Sequence, residues 1–303
     1  KEVLELLFRF MPESEWNRFD RVAKIRLRGV EIDHPLESNL WQLPAEAQVD
    51  YLEAIAQAGV VRGEPMPAGF EAWTRWKFGV RIAEEYMLPY NRKIWRVDLN
   101  QLGTYWLYKL PDVSFRDTLL SCLQRRMCGS LPAHGVFLYP KHHGYGEVWR
   151  RMGVALGERL RLNTPVTNID WRSKTINGQF SADTIVNSIP WTCWRDTTDL
   201  PPDIFEAVGK LVNIPIDVDY LPETQPGNSH WIYEPDERVS YHRILCRANF
   251  ALGSRGCWTE TNARVSPPGS NFRHHNLYAY PVNTCNKPEM VARICEWAKL
   301  SGI

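Results

Sequence analysis

Two short stretches carry the side chains best suited to hold a small ligand. PYNRKIW, residues 89–95, sets Tyr90, Asn91 and Trp95 behind a helix-breaking proline. HWIYEPDERVSYHRILCRANF, residues 230–250, reads as two strands around a Pro-Asp-Glu-Arg turn, and strand alternation puts Tyr241, Arg243, Leu245, Arg247 and Asn249 on one face. Amides and guanidinium groups donate hydrogen bonds while phenol and indole rings stack, so the two stretches suit a planar or sugar ligand. Other chemistries fit poorly. The pairs His142-His143 and His274-His275 are adjacent, not the i, i+4 spacing that sets two imidazoles on one helix face, so no metal site is expected. There is no GxSxG elbow and no cysteine in a nucleophile motif. Glu84-Glu85 and Asp217-Asp219 read as solvated or capping carboxylates, not as an acid/base pair.

Composition narrows the class further. The chain of 303 residues is 44% hydrophobic and 23% charged, enough for a full core in one elaborate domain or two. Its 36 basic and 35 acidic residues nearly cancel, which leaves no field to attract nucleic acid. Cys122, Cys128, Cys193, Cys246, Cys257, Cys285 and Cys295 are odd in number and contain no CxxC, so neither a disulfide framework nor a zinc ribbon is expected. With no signal peptide and no long apolar run, the reading is a cytoplasmic protein without a membrane span. Most of the 13 Trp, 12 Tyr and 11 Phe belong in the core, and the surplus beside Asn and Arg suits a ligand pocket.

The elements that must position these groups are mixed. Apolar spacing predicts helices over 44–59, 70–87 and 115–127, the second ended by Pro89. Another helix follows the glycines of HHGYGEVWRRMGVALGERL, and then LRLNTPVTNIDW reads as a strand. Asn177-Gly178 predicts a tight hairpin, and Thr184 to Ile189 a strand buried on both faces that returns to a parallel sheet.

PYNRKIW, WLYKLP, YPKHHGYGEVWRRM, ADTIVNSIPW and WIYEPDERVSYHRILCRANF, in this order and spacing, together resemble the flavin-dependent UDP-galactopyranose mutases, above all their eukaryotic-type branch. The resemblance runs from HPLESNLWQLP at residue 34 to AYPVN at 279 and places the chain beside the flavin amine oxidases. It implies an α/β (α+β mixed) fold: an incomplete FAD-binding doubly wound domain with an inserted helical domain and an antiparallel substrate-binding sheet. The implied segments are 1–35, joining the FAD domain to the sheet; 36–133, the helical substrate domain; 134–200, a flavin-side helix, hairpin and buried strand; 201–285, the substrate sheet; and 286–303, the start of a C-terminal helix.

The implied activity is an isomerase reaction, contraction of a nucleotide-linked pyranose to a furanose with N5 of reduced FAD as nucleophile and no net redox change. NAD(P)H would serve as reductant, and the setting would be cell-surface polysaccharide biosynthesis. The catalytic group is then the cofactor, and no catalytic side chain is implied. Arg243 falls on the family's diphosphate arginine, Asn91 and Trp95 on its nucleotide-contacting pair, and Tyr233, Asn249 and Tyr280 on further substrate positions. The second diphosphate arginine falls on Leu110, with Lys109 adjacent and able to supply a charge without the guanidinium fork. His34 and Glu37 stand where the family has a tyrosine and a glutamine against the nucleobase. Because a carboxylate only accepts, and guanine offers two adjacent donors, Glu37 points to a nucleotide other than UDP, with GDP the leading choice.

Val166, Gly144 and Gly146 are the flavin-side positions. No GxGxxG turn is present, and the family's glycine loop and final arginine motif are expected outside these residues, which leaves a homo-oligomer or a partner segment to complete the cofactor fold. Two alternatives stay open: an amine-oxidase-like oxidoreductase with an apolar cavity, and a non-catalytic nucleotide-sugar-binding protein.

Overall fold

Pro89 does not end a helix. The chain instead stays helical from Phe70 to Trp95 through two irregularities, one of which makes room for the proline. The structure, a computed structural model, describes residues 2–109, 112–129, 135–268 and 272–303, except for the side chain of residue 109. Its helices are α1 (Glu2–Phe10), α2 (Ala45–Ala56), α3 (Phe70–Ile82), α4 (Leu88–Trp95), α5 (Phe115–Gln124), α6 (Gly146–Leu156), α7 (Trp194–Thr197), α8 (Pro202–Gly209) and α9 (Lys287–Leu300). The strands are β1 (Trp16–Asp20), β2 (Ala23–Leu27), β3 (Val30–Asp33), β4 (Val136–Pro140), β5 (Ile169–Asp170), β6 (Thr175–Ile176), β7 (Phe180–Ser181), β8 (Asn213–Leu221), β9 (Trp231–Tyr233), β10 (Arg243–Leu245), β11 (Cys257–Asn262) and β12 (Arg273–Pro281).

Between α3 and α4 lies a π-helical turn, Ala83–Met87. A proline ring collides with the carbonyl four residues back in a regular α-helix, and the wider π turn gives that carbonyl room, so helix type and not helix termination absorbs Pro89. The second irregularity is Gly79, whose φ of 74° and ψ of 165° kink α3. α5 is closed at its start by a capping box: the Asp117 N–H donates to the Ser114 hydroxyl at 3.1 Å, and the Asp117 carboxylate accepts from Ser114 in return.

The chain divides into two compact units, residues 1–157 with 215–277, and residues 158–214 with 278–303. Among the described residues the largest sheet is seven-stranded, ordered β12-β8-β11-β10-β9-β2-β3. β8 with β11, β11 with β10, β10 with β9 and β2 with β3 pair antiparallel, and β2 with β9 pairs parallel. Cross-strand neighbours share a face, so Tyr233, Arg243 and Glu260 form a row across β9, β10 and β11. Beside them Ile232, Ile244, Cys246 and Cys257 make an apolar cluster. α4 lies against this sheet, where the Asn262 side-chain amide donates to the Ile94 carbonyl at 2.8 Å and Tyr90 meets the Tyr233 ring at 5.4 Å.

In the second unit Asn177 (φ 53°) and Gly178 (φ 65°) turn β6 into β7 as the hairpin signal requires. Here the tryptophan surplus is core: Trp171, Trp191, Trp194 and Trp297 pack around Ile204, Val208, Met290 and Ile294.

Two strand expectations are corrected. Thr184 to Ile189 forms no strand, and Val186 is 87% exposed. A β-branched run becomes a buried strand only between ladder partners, and the one backbone tie recorded here is the Ile185 N–H to the Gly302 carbonyl. Likewise the strand expected around Val166 is confined to Ile169–Asp170.

Candidate functional site

The row Tyr233–Arg243–Glu260 is the centre of the charged and aromatic groups that the fold brings together in the first unit. Arg243 donates from Nε and Nη2 to Glu260 Oε2 at 2.8 and 2.6 Å. Burial alone would push the Glu260 carboxyl up, but His242 and Arg243 outweigh it and hold the group at about 2. His242, 3.6 Å away, is itself pushed below its ordinary value by burial, so it stays neutral and Arg243 supplies the counter-charge.

Tyr233 extends the site toward the start of the chain. Its hydroxyl accepts from Arg21 Nη2 at 3.0 Å and from the Trp231 indole N–H at 3.0 Å. The Arg21 guanidinium lies 5.0 Å from the centre of the Trp231 ring, within cation–π range. His34 stacks at 5.4 Å from Tyr233, and burial, reinforced by the positive charge of Arg21, lowers it to about 3. Arg21, His34, Lys24, Asp33, Asn39 and Trp41 line a cleft of about 640 Å³, within the usual range for a ligand of nucleotide-sugar size. Asp33 is occupied by Lys24 at 3.3 Å, whereas among the described residues Arg21 has no carboxylate at ion-pair distance.

Glu37 sits in the 3-10 turn Leu36–Ser38. It is half-buried, and desolvation raises its carboxyl to about 7.

Asn91 and Trp95 are both buried, one turn apart on α4, and are used within that helix. The Asn91 amide donates to the Met87 carbonyl at 2.7 Å, and its carbonyl oxygen accepts the Trp95 indole N–H at 2.9 Å. Asn249 is engaged similarly, donating to Ser229 O at 2.7 Å and Gly227 O at 3.2 Å. The single long strand face expected over 241–249 does not exist: β10 stops at Leu245, and Arg247–Asn249 forms a 3-10 turn. A run of alternating side chains does not reveal where a backbone leaves the sheet.

Lys109 closes a 3-10 turn, Leu107–Lys109, with its side chain outside the description, and Leu110 lies outside the described residues. Tyr280 and Val166 belong to the second unit, Tyr280 on β12 and Val166 in an irregular, exposed segment. Gly144 has a φ of 68°, and Gly146 begins α6. These two glycines supply a bend and an open surface, but a dinucleotide's pyrophosphate needs the backbone amides of a strand–glycine turn–helix junction, and the GxGxxG that makes one is absent from the 303 residues. The donor set present does not fit an FAD pyrophosphate.

Sequence reasoning passed over Arg21, His242 and Glu260. Arg21 sits between two strands with no motif around it, and Glu260 is distinguished only by its register opposite Arg243. Among the described residues no three His, Cys, Asp or Glu side chains group to hold a metal ion, and no helix is long and apolar enough to cross a membrane.

No protein-family model matches the sequence. Solved structures share its fold. A reduced UDP-galactopyranose mutase superposes with a TM-score of 0.84 at 19% identity, over 95% of this chain and 71% of that one. A protein from an Exiguobacterium species assigned as a protoporphyrinogen oxidase gives 0.66 at 12% identity, over 99% and 77%. Cyclohexylamine oxidase from Brevibacterium oxydans gives 0.56 at 12% identity, over 96% and 72%. At these identities the likeness is one of fold, and the mixed α/β architecture of this chain is that of the mutase and amine-oxidase type of flavoenzyme.

Proposed function

We propose that this chain carries the substrate-binding part of a flavin-dependent nucleotide-sugar mutase. The observation that carries the reading is Arg21, a guanidinium with no carboxylate partner among the described residues, which lines a cleft of about 640 Å³ and is held from behind by the Trp231 ring and the Tyr233 hydroxyl. A diphosphate needs such a fork, because guanidinium stays charged and donates two hydrogen bonds in a plane. The aromatic walls suit a nucleobase or a sugar ring. The mutase named among the fold neighbours adds support, since its overlap exceeds that of the amine oxidase. The oxidoreductase alternative asks for an apolar cavity without an inward guanidinium, and this cleft sets Arg21 and Lys24 among Val22, Ala23, Trp41, Met127 and Val136.

In this reading no side chain described here makes or breaks the bonds of the sugar. The residues described here bind and orient instead. Arg21 takes phosphate charge, Tyr233 orders Arg21 by accepting its hydrogen bond, and His34, neutral throughout the physiological range, offers a ring without adding charge to the base side. Calorimetric titration of UDP-galactose into the full chain tests this. Arg21→Ala is expected to weaken binding about tenfold or more, the effect of one charge-assisted hydrogen bond. Equal affinity in the variant rejects the reading.

Base selection falls to Glu37 in this proposal. With its carboxyl near 7, the group is a pure acceptor at pH 8 and carries a donor proton at pH 6. GDP is therefore expected to bind more tightly than UDP at pH 8, with the preference shrinking at pH 6 and vanishing in Glu37→Gln. Equal or tighter UDP binding at pH 8 removes Glu37 from this role. The same shift has a stability consequence. A carboxyl raised from 4.5 to about 7 in the fold contributes stability at low pH that is lost as pH rises through 7, so Glu37→Gln is expected to unfold at higher urea than the parent at pH 8.

A further inference from the structure

A second recess, of about 320 Å³, lies where the segment 139–144 faces Arg247, Ala251 and Leu252. Its charged and titratable lining consists of Lys141, His142, His143 and Arg247, with Tyr139 beside them and no carboxylate. Neither Lys141 nor Arg247 has a carboxylate at ion-pair distance among the described residues; the recorded partner of the Arg247 guanidinium is the Trp258 ring, 6.0 Å from its centre. The carboxylate whose field reaches His142 is Glu15, and Arg151 holds that group through two hydrogen bonds of 2.8 and 2.7 Å. The neighbouring carboxylate on α6, Glu147, is held in the same way by Arg150 and Arg151. Glu15 and Glu147 are thus satisfied by arginines outside the recess, and among the described residues Lys141 and Arg247 have no carboxylate at ion-pair distance.

Concave, one-signed linings of this kind concentrate ions of opposite charge. We propose that this recess is a binding site for a phosphoryl-class anion, with Arg247 as the bidentate donor and Lys141 as the point charge facing it across the recess. The volume is at the small end of ligand pockets and suits a phosphoryl group with little attached to it. The site shares no lining residue with the Arg21 cleft, and it does not depend on the nucleotide-sugar reading.

The test is calorimetric titration of the full chain with inorganic phosphate, alone and in the presence of UDP. Saturable binding at one site is expected. The double variant Lys141→Ala/Arg247→Ala should weaken it about tenfold or more, the charge-preserving pair Lys141→Arg/Arg247→Lys should stay within about threefold, and Arg21→Ala should leave it unchanged. The charge-preserving pair and the melting temperatures of all variants separate lost binding from lost folding. Competition by UDP would identify the phosphoryl group of a nucleotide as the occupant, and phosphate binding indifferent to UDP would identify a free anion; either supports the site. Phosphate that fails to saturate, or that binds the double variant as tightly as the parent, overturns it, whatever becomes of UDP-galactose binding in the Arg21 cleft.

Discussion

Gly79→Ala is expected to be among the most damaging single substitutions in the helical part of this protein. At a φ of 74° an L-residue's Cβ crowds its own backbone, a cost of about 1–2 kcal/mol. The added methyl would also run into the Ala54 carbonyl and the Ile55 amide of α2, atoms of a backbone that cannot rotate away. Overpacking of this kind costs roughly 1–3 kcal/mol more. The sum, about 2–5 kcal/mol, corresponds to a fall in melting temperature of roughly 5–20 °C for a unit of this size. Thermal denaturation followed by far-UV circular dichroism measures it. Gly63→Ala is the control: its φ is also positive, at 73°, but its Cβ would meet nothing, so only the conformational part should be lost. Equal losses in the two variants would mean that the approach of α2 to α3 contributes nothing.

That close approach also shows what the sequence could and could not reveal. The helices of the block were legible because Val49, Leu52, Ile55 and Ala56 recur at helical spacing. The kink at Gly79 and the π turn before Pro89 were not, because both depend on what a neighbouring helix or carbonyl requires and neither changes the periodicity. The hairpin at Asn177-Gly178 was legible for a local reason, since two successive left-handed residues need that dipeptide. The strand expected over 184–189 failed for a non-local one, the missing ladder partner. For the site, Arg243, Tyr233, His34 and Glu37 came forward through the resemblance to the mutase family, not through any local pattern of their own. Asn91 and Trp95 stood out as an amide and an indole behind a proline, yet their spacing of four allows them to bond to each other within one helix. Arg21 and Glu260 have significance only through pairings across the sheet, and no single stretch of sequence displays those.

Glu260→Ala is expected to cost about 3–5 kcal/mol, because it removes the buried carboxylate that Arg243 and His242 both face. Replacing both charges, as Glu260→Leu with Arg243→Met, should recover most of that loss, since two apolar groups need no partner. Urea denaturation of the two single variants and the double variant gives the coupling; additive losses would show that the two charges are independent. The pH profile carries the same information. Glu260 is 8% exposed, and its carboxyl is held at about 2 against an ordinary value of 4.5. The fold therefore keeps this contribution, on the order of 3 kcal/mol, above pH 4.5 and loses it as pH falls toward 2, a slope that Glu260→Gln should remove. The consequence for binding has the opposite sign. An anionic ligand at Arg243 must share the guanidinium with Glu260, so on the proposed function Glu260→Gln should tighten UDP-galactose binding while Arg243→Ala weakens it. If neither substitution moves the affinity, Arg243 is a structural ion of the sheet, and the phosphate charge is carried by Arg21 without it.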